Sequence, residues 1–153
     1  RREHLKNIKS MLDQKCEYTS GYYLGGMKEE ELNITETKDV ILGTFLMASE
    51  GFDCKYPLDS IVLTSPKSNI EQAVGRILRQ EVKDRKFVPL VIDIVDEFAT
   101  FPRQALKRAK FYKTNEYRIH TFNQNMESIP NKYVKSKSKC KKQKQLDFLP
   151  ESD

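Results

Sequence analysis

Short apolar runs of strand length alternate along the chain with stretches in which apolar residues return every three or four positions. Residues 18–24, 40–45, 60–64, 88–95 and 117–122 read as strands. The run 88–95 is apolar almost throughout, the pattern of a strand covered on both faces. Leu5, Ile8, Met11 and Leu12 at the start, and Phe101, Ala105 and Ala109 later, carry helical spacing. Alternation of this kind predicts an α/β fold, a mainly parallel central sheet with helices on its faces.

The stretch PKSNIEQAVGRILRQ is the most informative. Ser68 and Glu71 stand at capping-box spacing and predict a helix start in front of Asn69. At about 100° per residue, Ile70, Ala73, Val74, Ile77 and Leu78 gather on one side as a core face. Gln72, Arg76 and Arg79, at i, i+4 and i+7, form a polar stripe opposite. Neither arginine has an acid three or four residues away, so each faces water or awaits an anion from elsewhere. Phosphate oxygens suit the planar donor fork of a guanidinium, and an ordinary exposed face suits the same spacing.

From about residue 125 the apolar periodicity stops, which divides the chain into a folded unit, 1–124, and a basic, flexible tail, 125–153. Lys and Arg number 27 against 22 Asp and Glu, a net charge of +5. Seven lysines against three acids after residue 131 put +4 of that excess in the last stretch of the tail, which leaves the rest of the chain at +1. Attraction of a polyanion by net charge therefore falls on the tail. A solvated terminus and a nucleic-acid contact are both compatible with it.

Three cysteines without a CxxC pair argue against a disulfide framework and a structural zinc, and for a reducing intracellular compartment. No apolar run approaches the roughly 20 residues that span a bilayer, so no membrane segment is expected. Gly25-Gly26-Met27-Lys28 falls short of a phosphate-binding loop, because Met27 intervenes and Glu29, Glu30 and Glu31 follow. Asp93, Asp96 and Glu97, at the end of an apolar strand, imitate a magnesium-holding strand end but have no phosphate cradle to serve, and no metal site is expected. Arg103, Lys107, Arg108, Lys110 and Lys113 predict a basic face on the helix 101–113. Cys54 beside Asp53 is a weak candidate for a reactive thiol.

TFLMASEGFD, residues 44–53, and QAVGRILR, residues 72–79, taken together resemble motifs V and VI of superfamily 2 helicases, T-x6-G-x-D and QxxGRxxR. Order and separation match that family, with the greatest likeness to helicases of large DNA viruses and phages, including the poxvirus transcript-release type. The resemblance covers about residues 1–122 and implies a C-terminal RecA-like lobe whose first strand is cut off before residue 1. It implies that Thr44, with Gly25 and Gly26, meets the nucleic-acid strand, and that Gly51 and Asp53 approach the nucleotide. Arg76 would reach the γ-phosphate, Arg79 would be the arginine finger, and Gln72 would help to place them or couple them to Asp53.

The implied activity is ATP-dependent unwinding or translocation of nucleic acid in the cell, host cytoplasm, nucleus or virion. ATP and Mg2+ would be bound mainly by an N-terminal lobe of the same parent, so this chain alone would be inactive. Gln72 at the head of motif VI, in place of histidine, leans toward DNA rather than RNA. The rival readings are a non-catalytic nucleic-acid or protein interaction module that keeps the lobe, and a stand-alone nucleotide-binding domain using Asp96 and Glu97.

Overall fold

The computed structural model describes residues 2–15, 17–64 and 67–130; the tail expected after residue 125 lies mostly outside them, as do Cys16 and Cys140. Helix α1 (Arg2–Lys15) leads into β1 (Ser20–Tyr23), α2 (Glu29–Glu36) and β2 (Val40–Gly43). A π-helical turn (Met47–Gly51) and a loop precede β3 (Ser60–Thr64), and α3 (Glu71–Gly75) runs on into a 3-10 turn (Arg76–Leu78). A further 3-10 turn (Val82–Asp84), β4 (Leu90–Ile94) and α4 (Phe101–Thr114) complete the order.

The fold is α/β with parallel strands, as the alternation predicts. Its hydrogen-bonded ladders come in two parallel pairs, β1 with β2 and β3 with β4. Each pair is joined through helical segments, the connection that parallel pairing demands. Thr35 of α2 fastens the first unit by donating its hydroxyl to the Tyr22 carbonyl at 2.9 Å. In the second, Leu63 of β3 is buried with Ile70 and Val74 around α3 and Tyr112 of α4. Both helices therefore cover the same face of the β3–β4 ladder.

That arrangement corrects the expectation for 88–95. On the opposite face Leu90, Ile92 and Ile94, with Val62 beside them in register, are exposed. A continuous apolar run implies cover on two sides only when helices are shared between them, and here both lie on one.

The strand expected at 117–122 is absent. The Tyr117 amide closes α4 by donating to the Tyr112 carbonyl at 2.9 Å, and Tyr117 and Ile119 pack against the β3–α3–α4 core. Among the described residues a single antiparallel bridge, Phe122 to Ser128, is the extended pairing of this segment. Its alternation reflects one-sided burial, which a loop lying on a core produces as readily as a ladder.

Two local expectations around α3 also shift. Helix α3 starts at Glu71 behind an Ile70 cap, and the Asn69 side chain, rather than Ser68, accepts the Glu71 amide at 3.2 Å. Ile70, Ala73, Val74 and Ile77 are buried as their spacing requires, but Leu78 is exposed. Tightening to a 3-10 turn at Arg76 changes the angular step, and the last apolar position rotates away from the core.

Arg108, expected on a basic surface, is instead 1% exposed. Its Nε and a terminal nitrogen donate to both oxygens of Asp93 on β4 at 2.8 and 3.0 Å, and the Tyr112 hydroxyl donates to the same carboxylate at 3.1 Å. Asp93 is thereby committed to a fork-shaped ion pair that ties α4 to β4 and is unsuited to metal binding. Burial first, then the Asp93 charge, pushes the Tyr112 pKa well above its ordinary value.

Candidate functional site

The polar stripe of α3 meets the segment 44–53 at one end of the fold. Thr44 leaves β2 and caps the next turn: its hydroxyl accepts the Met47 amide at 3.5 Å, and its carbonyl accepts the Ala48 amide at 3.0 Å. The widened turn that follows sends the Ser49 carbonyl toward α3, where a terminal nitrogen of Arg76 donates to it at 3.4 Å. The Ser49 side chain is turned back onto the Phe45 carbonyl at 2.8 Å.

Asp53 supplies the anion that the helix does not. Arg79 donates to Asp53 Oδ1 at 2.9 Å, with half of the arginine side chain and nearly all of the carboxylate exposed. Ser49, Gln72, Gly75, Arg76 and Arg79 together line an open cavity of about 500 Å³. Three residues singled out by spacing thus surround one concave space, two of them guanidinium-bearing. Among the described residues each guanidinium commits one of its five N–H groups, Arg76 to a carbonyl and Arg79 to a carboxylate. Concavity, water access and arginine donors are the features that hold phosphate oxygens.

Gly51 and the glycine pair after β1 are brought together by Met47. A side chain built at Gly51 would meet the Met47 methyl at 3.0 Å, and one at Gly25 would meet its sulfur at 3.6 Å. Gly26 sits at φ +89°, the left-handed conformation that this tight turn requires. Arg2 donates to the Gly25 carbonyl at 3.2 Å. The loop expected beside nucleic acid and the segment expected beside nucleotide are therefore neighbours through a single thioether. Gly25 and Gly26 do not reach the arginine-lined cavity.

The loop after Asp53 holds residues that spacing did not single out. Buried Glu36 of α2 accepts the Lys55 amide at 3.1 Å, and Lys55 Nζ donates to Asn33 Oδ1 at 3.0 Å. Phe52 is buried edge-on against Tyr23, ring centroids 4.6 Å apart. Arg85 secures the far side of the site by donating to the carbonyls of Leu78 and Gln80, at 3.0 and 2.8 Å, where the helical turn ends. No sequence signal marks Glu36 or Arg85, because a partner 19 residues away in one case and a free carbonyl in the other leave no periodic trace.

Burial, reinforced by Glu36 and Asp53, raises the Cys54 pKa, which argues against the reactive-thiol reading. Among the described residues no group of three His, Cys, Asp or Glu could hold a metal ion. No helix among them is long and apolar enough to cross a membrane. Asp96 turns its carboxylate onto the Phe98 amide at 3.0 Å, a local turn before α4.

The chain is similar to viral proteins provisionally named ATP-dependent RNA helicases. One, from Acanthamoeba polyphaga mimivirus, is 41% identical over 132 residues, 86% of this chain and 25% of that protein. Proteins of the same name from African swine fever virus, a South African tick isolate and a Kenyan pig isolate, are 34% and 33% identical over 95 residues, 62% of this chain and 18% of each. The chain thus spans a quarter or less of the length of these relatives. No family model matches it, and no solved structure does.

Proposed function

We propose that this chain is the arginine-bearing, C-terminal RecA-like lobe of an ATP-dependent nucleic-acid helicase or translocase. The observation that carries the reading is the meeting of Arg76, Arg79 and Gln72 with the Ser49–Asp53 segment around one solvent-open cavity. Similarity to viral proteins with a helicase name supports it over 86% of the chain.

Arg76 and Arg79 suit the terminal phosphate of a nucleotide presented by a second lobe. When bound, the nucleotide would supply a transferable phosphoryl group, with negative charge building on the leaving diphosphate as the bond between them breaks. Arg79 would exchange Asp53 for that charge, and Arg76 would keep its grip on the Ser49 carbonyl, so closure of the cleft brings positive charge to the reacting phosphate. Gln72, on the same cavity wall, holds the phosphate side of the stripe. The chain's residues fit phosphate and do not fit Mg2+, since no carboxylate is among the described residues that line the cavity and the nearby Asp53 is ion-paired. The magnesium ligands of such an enzyme belong to the other lobe.

Thr44, Gly25 and Gly26 form the proposed nucleic-acid side. Thr44 caps the turn that ends at Gly51, and Met47 spans from Gly51 to Gly25, so a strand pressing on this edge acts on the same turn that carries the Ser49 carbonyl to Arg76. The names of the relatives point to RNA, against the lean toward DNA drawn from Gln72.

The test is ATP hydrolysis by the parent polypeptide, wild type against Arg79→Ala, without nucleic acid and with single-stranded RNA or DNA. Arginine fingers contribute about 10³ to 10⁵ in rate where GTPases have been measured, so a loss of about a hundredfold or more is expected with nucleotide affinity retained. Unchanged turnover would make the stripe an ordinary polar face and end the reading.

A further inference from the structure

A second cavity, of about 280 Å³, shares Arg76 and Arg79 with the first. Its remaining wall has a different chemistry: Phe52, Tyr56, Pro57 and Leu58, from the loop on either side of Asp53, make most of it apolar. Phe52 is buried, whereas Tyr56 leaves half of its surface open to solvent. The loop is not free to collapse, because its Lys55 amide and ammonium are held by Glu36 and Asn33 of α2. An apolar cavity with an open aromatic ring is thus built in advance, directly beside an arginine-lined one.

We infer that this second cavity is a nucleoside subsite: the base of a nucleotide stacks on Tyr56 while its phosphates occupy the Ser49–Gln72 cavity. The inference rests on the phosphate reading of Arg76 and Arg79 and extends it. A nucleotide joins a flat, weakly polar ring to a polyanion through a sugar, and the two cavities offer those surfaces in the same sequence, with the guanidinium groups at the junction. Every base presents a π-face, so stacking on Tyr56 tolerates different bases and selects for a ring over bare phosphate. The small volume suits a base and sugar rather than a larger ligand. Because the loop is pinned beforehand, little ordering is needed on binding.

The chain, labelled with 15N, is titrated with tripolyphosphate, adenosine and ATP, and backbone amides are followed by NMR. Adenosine and ATP are expected to shift Lys55, Tyr56 and Leu58, and tripolyphosphate to shift Ser49, Gln72 and Gly75 only. ATP should bind at least about fivefold more tightly than tripolyphosphate, the lower end of what one stacked base contributes. Tyr56→Ala should erase that margin and leave tripolyphosphate binding intact, and Tyr56→Phe should restore it. Tyr56 is half exposed, so neither change threatens the fold.

The inference is overturned if ATP gains nothing over tripolyphosphate, if its margin survives Tyr56→Ala, or if adenosine leaves the loop unmoved. It is overturned as well if an unphosphorylated single-stranded RNA shifts these amides at lower concentration than ATP, since the cavity then belongs to nucleic acid. Failure of the phosphate reading has a separate signature: no response to tripolyphosphate, or a response indifferent to Arg79→Ala.

Discussion

Replacing Arg108 with methionine should be strongly destabilising although it keeps a similar side-chain length. The guanidinium is 2% exposed at the side-chain level and makes two hydrogen bonds to Asp93, itself only 15% exposed. Methionine fills a similar channel but leaves the largely enclosed Asp93 carboxylate with the Tyr112 hydroxyl as a neutral donor. Breaking one side of a buried pair costs about 3 to 5 kcal/mol, because the remaining charge keeps its desolvation penalty and loses its compensation. Total stability of a domain is about 5 to 15 kcal/mol, so the variant should remain folded but with a small margin. At a typical urea dependence of about 2 kcal/mol per molar, the midpoint falls by about 2 M. The assay is urea unfolding followed by circular dichroism. The chain has no tryptophan, so tyrosine emission is the second probe. The double variant Arg108→Met with Asp93→Leu removes both charges and should recover most of the loss, giving a coupling energy of several kcal/mol. A single-variant cost below about 1 kcal/mol, or a double variant no better than the single, would refute the claim that charge compensation ties α4 to β4.

Two further expectations follow from the same coordinates. Gly21→Ala should destabilise by about 1 to 3 kcal/mol, since its new methyl would lie 2.9 Å from Thr35 Cγ2 and displace a buried hydroxyl from the Tyr22 carbonyl, whereas Gly75→Ala meets open space in a helical conformation and should gain about 0.4 to 1 kcal/mol; thermal melts in which the two variants move the same way would contradict this. Tyr112 retains its proton in the folded state at pH values where the unfolded tyrosine has lost it, so its contribution is fully present below pH 10 and declines as pH rises above it, by about 1.4 kcal/mol per unit. Urea titrations between pH 9 and 11 should show a shallower decline in Tyr112→Phe, and parallel slopes would exclude the role given to burial and Asp93.

Local spacing told most about positions whose partners lie within one turn of helix or in the next strand. The α/β class, the placing of β1 to β4 and of α1, α3 and α4, and the burial of Ile70, Ala73, Val74 and Ile77 all have such short-range signals. The stripe of Gln72, Arg76 and Arg79 was visible for the same reason, and so was the absence of an acid on its own helix. That the missing acid is Asp53, 26 residues away, leaves no trace in the spacing, although the family resemblance sets Asp53 near the nucleotide and allows Gln72 to couple the arginines to it. Arg108 was misplaced because a buried arginine and an exposed one look alike when the compensating Asp93 sits on another element. The run 88–95 misled for a related reason: apolarity reports what could be covered, and which side the helices choose depends on α3 and α4 together. Tyr56 and Glu36 had no pattern at all, being joined to the site through the loop path.

The Arg79–Asp53 contact also sets a clock. Exposed pairs contribute about 0.2 to 1 kcal/mol, which at the upper end leaves about one molecule in six with the contact open at any instant. Exposed side chains change rotamer within picoseconds to nanoseconds, while rigid lobes move over microseconds to milliseconds. During a single approach of a second lobe, Arg79 would therefore leave and regain its carboxylate a thousand times or more by rough count. A guanidinium resting on so brief a hold is parked rather than locked: in the proposed two-lobe enzyme its release would add no delay to the closing of the cleft, and the waiting time would belong to the larger body that must arrive.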